Sequence, residues 1–144
     1  LLAHDKPIVG SLYLKKRWPF IPHVYKYSEN PEKMFVNIPL ADVPKDSLLE
    51  VDAVATSGLL IKREVFEKLG PRPFDFTESP GDNGLIGEDM AFCHKARQAG
   101  FPIYVDTSAI MPHFSTYPIY PDWDEEGNAK VVLGVGADRE VVLE

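Results

Sequence analysis

Apolar residues crowd the segment KPIVGSLYL, Lys6 to Leu14, almost without a break. Such a β-rich run predicts a strand buried on both faces. After Trp18 the pattern dissolves. Pro19, Pro22, Pro31, Pro39 and Pro44 punctuate a long connection that predicts loop with short strand pieces such as MFVNIPL. Order returns in LLEVDAVATSGLLIKREVFEKLG. There Val51 to Ile61 predicts a strand interrupted at Ser57–Gly58, and Arg63 to Leu69 a short helix stopped by Gly70 and Pro71.

RPFDFTESPGDNG predicts a loop, with turns at Pro80–Gly81 and Asn83–Gly84. The next segment, LIGEDMAFCHKARQAGF, carries Phe92, Ala96 and Ala99 at helical spacing, with Cys93 widening the stripe. A helix from Glu88 to about Ala99 follows, closed by Gly100 and prevented from continuing by Pro102. FPIYVD, Phe101 to Asp106, predicts another strand, and SAIMPHFS leads to His113. The tail from Tyr117 is rich in tyrosine, proline and acid, and closes with KVVLGVGADREVVLE. No repeat or low-complexity block is visible. Strands alternating with helices predict an α/β class.

Composition narrows this picture without changing it. A chain of 144 residues is long enough to bury one real core. Its apolar runs fall short of the ~18 residues that a membrane helix needs. LLAHDKPIVG is too short and polar for the apolar part of a signal peptide. A single cysteine, Cys93, excludes an internal disulfide framework and fits a reducing, cytoplasmic compartment; on the apolar stripe it is expected to be buried and inert.

Charge is uneven. Residues 1–50 hold seven Lys/Arg against six Asp/Glu, whereas residues 51–144 hold eight against sixteen. That acidic second part argues against nucleic acid, whose phosphates need clustered cations. The basic run KKRW, Lys15 to Trp18, reads as a solvated strand end.

Two adjacent carboxylates, Glu88 and Asp89, open the helix before Gly100. Acids in a first turn complement the free N–H groups and the positive end of the helix dipole. A carboxylate so placed can also take a proton from a substrate hydroxyl. These two readings stay open on residue chemistry alone.

The order of segments narrows the choice. VDAVATSGLLIKREVFEKLG, then GEDMAFCHKARQAGFPIYVDTS, then MPHFS, resembles the acceptor-side second half of a family 2 type glycosyltransferase with the GT-A fold. The resemblance covers roughly residues 1–115, leaving 116–144 as a C-terminal extension. LLAHDKPIVGSLYLKK resembles the stretch that follows the Asp-x-Asp metal motif of that family. The resemblance therefore implies a partial GT-A fold, a mixed sheet flanked by helices, with the nucleotide-binding half and its metal motif lying before Leu1. The one literal Asp-x-Asp, Asp122–Trp123–Asp124, stands in the wrong place for that motif.

By the same resemblance, the intact enzyme moves a sugar from a nucleotide-sugar donor to a hydroxyl acceptor with inversion. Asp89 is the implied base and Glu88 shapes the site or caps the helix. His113 is the implied metal ligand or diphosphate contact, and a divalent cation, Mn²⁺ or Mg²⁺, is implied for the intact enzyme. This chain alone is not expected to hold it, because these hard ions want several oxygen ligands. Thr56, Ser57 and Gly58 are implied at the floor of the sugar site, with a strand bulge as the structural alternative.

Phe74, Asp75 and Phe76, with Asp82 and Asn83, in the loop before the helix, are candidate sugar contacts, since aromatics stack on sugar faces and carboxylates bind hydroxyls. Trp18, Tyr25 and Tyr27 in the long connection are candidates of the same kind, whereas His4, His23 and His94 carry no such signal. A rival expectation belongs to another class: a non-catalytic carbohydrate-binding or subunit-interaction domain, completed by a partner or by self-association. An exposed aromatic platform would mark that rival, and convergence of Asp89, His113 and Gly58 on one cleft would mark the enzyme.

Overall fold

The apolar run near the start of the chain becomes β1 (Ile8–Leu12), with all five residues buried. The structure, a computed structural model, describes residues 1–79, 84–134 and 140–143. The proline-rich connection holds two short strands, β2 (Val24–Tyr27) and β3 (Phe35–Asn37). Then follow β4 (Leu48–Val51), β5 (Ala53–Val54), β6 (Leu59–Ile61) and helix α1 (Arg63–Leu69). A small hairpin of β7 (Thr77–Ser79) and β8 (Gly84–Ile86) precedes helix α2 (Glu88–Gln98). Strand β9 (Ile103–Ile110) leads to β10 (His113–Phe114), β11 (Pro118–Trp123), β12 (Ala129–Gly134) and β13 (Glu140–Leu143).

The described residues form a mixed α/β arrangement, rich in strands, with two α-helices and four small sheets. The central sheet runs β4-β9-β1-β6. Its inner pair, β1 and β9, is parallel, and β4 and β6 flank it antiparallel. Both helices share the core of this sheet: Val65 of α1 and Phe92, Cys93 and Ala96 of α2 cluster with Ile8, Leu12, Ile103 and Val105. Phe74 stacks on Phe92 at 4.4 Å between ring centroids, closing one side of that core. Ala91 is buried as well, while Ala99, expected in the stripe, serves as the half-buried C-cap.

The segment expected as one strand from Val51 to Ile61 is divided further. Its pieces pair with different partners: β4 with β9, β5 with β2, and β6 with β1. Asp52 causes the first division. Its carboxylate accepts the Tyr27 N–H at 2.9 Å and its own N–H donates to the Tyr25 carbonyl, so the chain crosses to a second sheet there. The expected break at Ser57–Gly58 is present, with Gly58 at φ 65.

The tail joins the core through β10–β13, which form one antiparallel sheet. Trp123 packs into the main core and Ile119 into a smaller one with Leu14 and Phe20. Asp122 pairs with Lys130 at 3.0 Å, and Asp124 accepts from the backbone and side chain of Asn128. Both carboxylates of the Asp-Trp-Asp string thus hold a turn together. Among the described residues, no helix is long and apolar enough to cross a membrane.

One irregularity shapes the site. Register between β1 and β9 runs Ser11 with Asp106, then Leu12 with Ile110, so β9 bulges over the intervening residues. Asp106 fastens the bulge by accepting both the N–H and the hydroxyl of Ser108, and it bonds His4 Nε2 at 2.8 Å. The chain then re-engages, Met111 N–H donating to the Leu12 carbonyl, which brings His113 alongside the end of β1.

Candidate functional site

Tyr13, just past β1, is 4% exposed and is the hub on which distant segments meet. Its hydroxyl accepts the Ser57 N–H at 3.2 Å. Its ring lies 4.9 Å from that of His23 and 5.7 Å, edge-on, from that of His113. The two imidazoles are themselves 5.9 Å apart. Burial raises the Tyr13 hydroxyl above its usual range, and the charge of Asp89 adds to the rise. Tyr25, on β2, is raised for the same two reasons and is hydrogen-bonded to His23 Nδ1 at 3.2 Å.

Each histidine is oriented by a specific partner. His113 Nδ1 lies 2.7 Å from the Leu14 carbonyl, which can only accept, so Nδ1 carries a proton and donates. Burial, with Lys15 and His113 nearby, lowers His23 to about 4, so it is neutral at physiological pH.

The Thr56–Gly58 turn is stitched to β1. Ser11 N–H donates to the Gly58 carbonyl at 3.1 Å, and the Ser11 hydroxyl donates to the Ser57 carbonyl at 3.2 Å. A side chain on Gly58 would meet Ser11 Oγ and Met111 Sδ, in a conformation that L-residues rarely adopt. Glycine is required there by close approach, and Thr56 and Ser57 themselves are exposed.

Asp89 stands in the first turn of α2, behind the N-cap Gly87. It is half-buried, while Glu88 is exposed. Its Oδ1 accepts the Met90 N–H at 2.8 Å, a contact that favours the ionised form. Burial nevertheless wins, and Glu88 adds to it, so the Asp89 carboxyl lies above the ordinary carboxylate value despite the helix N-terminus. Beside it opens a cleft of about 260 Å³, lined by Tyr25, Phe35, Leu85, Ile86, Gly87 and Met90.

The sequence-expected residues divide accordingly. Ser57 and His113 gather on Tyr13, whose hydroxyl also feels the charge of Asp89, while Gly58 is bonded to Ser11 of β1; none of Asp89, His113 and Gly58 lines the cleft. Asp75 faces Arg72 at 3.5 Å, and Phe76 and Trp18 are 63% and 74% exposed; no hydrogen bond, ion pair or ring contact joins any of the three to Tyr13, His23 or His113 among the described residues. Trp18 packs edge-on against Phe20. Asp82 and Asn83 lie outside the described residues.

Tyr13 and His23 were not legible as site residues from spacing alone. One signal was present: in HVYKY, His23, Tyr25 and Tyr27 alternate, which puts them on one face of a strand.

A divalent cation does not fit the described donors. The hub offers two imidazoles, and no three His, Cys, Asp or Glu side chains gather to hold a metal among the described residues. Mg²⁺ and Mn²⁺ prefer several oxygen ligands, so any such ion needs carboxylates from elsewhere. Comparison with protein families, curated proteins and solved structures gives no match to this chain.

Proposed function

We propose that this chain is the acceptor-side part of an inverting, nucleotide-sugar-dependent glycosyltransferase of GT-A type, with Asp89 as the base. The observation that carries the reading is the environment of Asp89. It is a half-buried carboxylate of raised pKa beside a cleft, and its charge is felt by Tyr13, which gathers Ser57 and His113. A perturbed acid beside a concave site is the arrangement that general-base chemistry requires.

The chemistry is a single in-line displacement. As the acceptor oxygen bonds to the anomeric carbon of the donor, its proton passes to the Asp89 carboxylate. The bond from that carbon to the diphosphate breaks, and the electron pair leaves with the nucleoside diphosphate. Burial makes Asp89 a stronger base once ionised than an exposed aspartate. Ser57 holds the Tyr13 hydroxyl, and Gly58 lets the turn approach β1 closely. The donor's nucleotide and any metal are held by groups beyond the described residues, in the same polypeptide or a partner.

Transfer assays on the complete gene product test this. Uridine, guanosine and thymidine diphosphate sugars are offered with Mn²⁺, and nucleoside diphosphate release is followed. Release that falls by about 10²–10⁴ in Asp89→Asn is the expected result. An Asp89→Asn protein as active as its parent, or no release from any donor, overturns the proposal.

A second reading has one observation in its favour. Trp18 and Phe76 are large, exposed aromatics that the site does not use. In a non-catalytic carbohydrate-binding or self-associating domain, these would be the contact residues, and their removal rather than that of Asp89 would abolish function.

A further inference from the structure

The cleft beside Asp89 is selective by its lining. Tyr25 and Phe35 come from neighbouring strands of one sheet, Leu85 and Ile86 from β8, and Met90 from α2. None of the lining residues carries a charge. Its volume of about 260 Å³ is room enough for one ring.

Electrostatics narrow the occupant further. Asp89 Oδ1 approaches Gly87 closely, 3.2 Å from where a side chain there would begin, and Gly87 is part of the cleft wall. Lys15 lies 5.7 Å from the Tyr25 ring centroid, and its ammonium is engaged by Asn37 Oδ1 at 3.2 Å. An anionic ring therefore meets the charge of Asp89 with no counter-charge on the lining. A neutral ring with an apolar C–H face meets aromatic and aliphatic surface, and Tyr25 supplies a hydroxyl held by His23.

We propose that this cleft is an acceptor subsite for one uncharged pyranose ring, lying with its apolar face on Tyr25 and Phe35 and a hydroxyl turned toward Asp89. The identity of the ring as acceptor rests on the transferase reading; its seating in the cleft does not.

Ligand-observed saturation-transfer NMR tests the seating without turnover. The probes are methyl β-D-glucopyranoside, galactopyranoside and mannopyranoside, with methyl glucuronide as the anionic control. Neutral pyranosides are expected to receive saturation chiefly at their C–H faces, and the glucuronide to receive less. Tyr25→Ala should weaken binding about tenfold, the scale of a lost aromatic contact, and Tyr25→Phe should keep most of it. Leu85→Asp changes a residue that is 58% exposed, so it tests the cleft with little risk to the fold, and it should abolish the signal.

Binding of the glucuronide equal to that of the glucoside, signal that survives Leu85→Asp, or no signal from any pyranoside overturns the proposal. If pyranosides bind as described but no donor is turned over, the transferase reading fails and the subsite stands. If transfer proceeds yet pyranoside binding ignores the lining, the subsite fails and the transferase reading stands.

Discussion

Asp89 and Asp106 are both removed from bulk water, yet the protein treats them in opposite ways. Asp106 is almost fully buried, and burial alone would raise it. The hydroxyl and N–H of Ser108 and the ring of His4 outweigh that cost and hold it at about 2. Asp89 accepts from the adjacent Met90 N–H, too little to offset its burial and its neighbour Glu88, and it rises. A carboxylate saturated with donors is a fastener, and Asp106 fastens the β9 bulge that brings His113 to Tyr13. A carboxylate left short of donors beside an open cleft keeps its basicity for something else.

Breaking this contrast gives graded effects. The largest falls on Asp89: Asp89→Asn is expected to lose transfer by the 10²–10⁴-fold stated above while melting at or above the parent temperature. A half-buried charge is removed there, and sites kept for chemistry are commonly not optimal for stability. Differential scanning calorimetry beside the transfer assay reads both changes.

Next is Asp106→Ala, which leaves Ser108 and His4 without their acceptor and should cost roughly 3 kcal/mol in denaturant unfolding. The pH dependence has the matching sign. The Asp106 pKa is depressed, so its contribution is present above the ordinary carboxylate value and lost as pH falls toward about 2. Asp89 is raised, so the stability it contributes is present at low pH and lost as pH rises through its folded value. Unfolding midpoints measured from pH 2 to pH 5 should therefore fall on the acid side in the parent, and fall less in Asp106→Ala.

Gly58→Ala should cost roughly 2 kcal/mol, from the positive φ and from displacing Ser11 Oγ off the Ser57 carbonyl. Because Ser57 also donates to Tyr13, the same variant should shift the chemical shifts of Tyr13 and His113, whereas a surface change such as Trp18→Ala should not.

Elements with a strong period were legible in the sequence. β1 and both helices follow from continuous or 3.6-spaced apolar residues, and Gly70 and Gly100 mark helix ends as glycine ordinarily does. The tail sheet was hidden. In PIYPDW the buried residues Ile119, Pro121 and Trp123 alternate as in any half-buried strand, but two prolines in six residues argue against a strand. The division at Asp52 was also hidden, since it depends on a backbone partner 25 residues away.

For the site, the acidic pair and His113 stood out as residue types. What joins Ser57 and His113 is Tyr13, through contacts that span 44 and 100 residues and leave no local pattern. The resemblance to a glycosyltransferase supplied candidates; the hub and its cleft show which of them have neighbours to work with.

The most direct test of the central contrast is a carboxyl ¹³C NMR titration of the two aspartates in the intact chain. The account predicts that Asp106 titrates near 2 and Asp89 above 3.8, in separate steps, with the Asp89 step perturbing Tyr13 and Tyr25. An Asp89 that titrates at or below 3.8, without effect on either tyrosine, would make it an ordinary helix-start acid and contradict the role assigned to it.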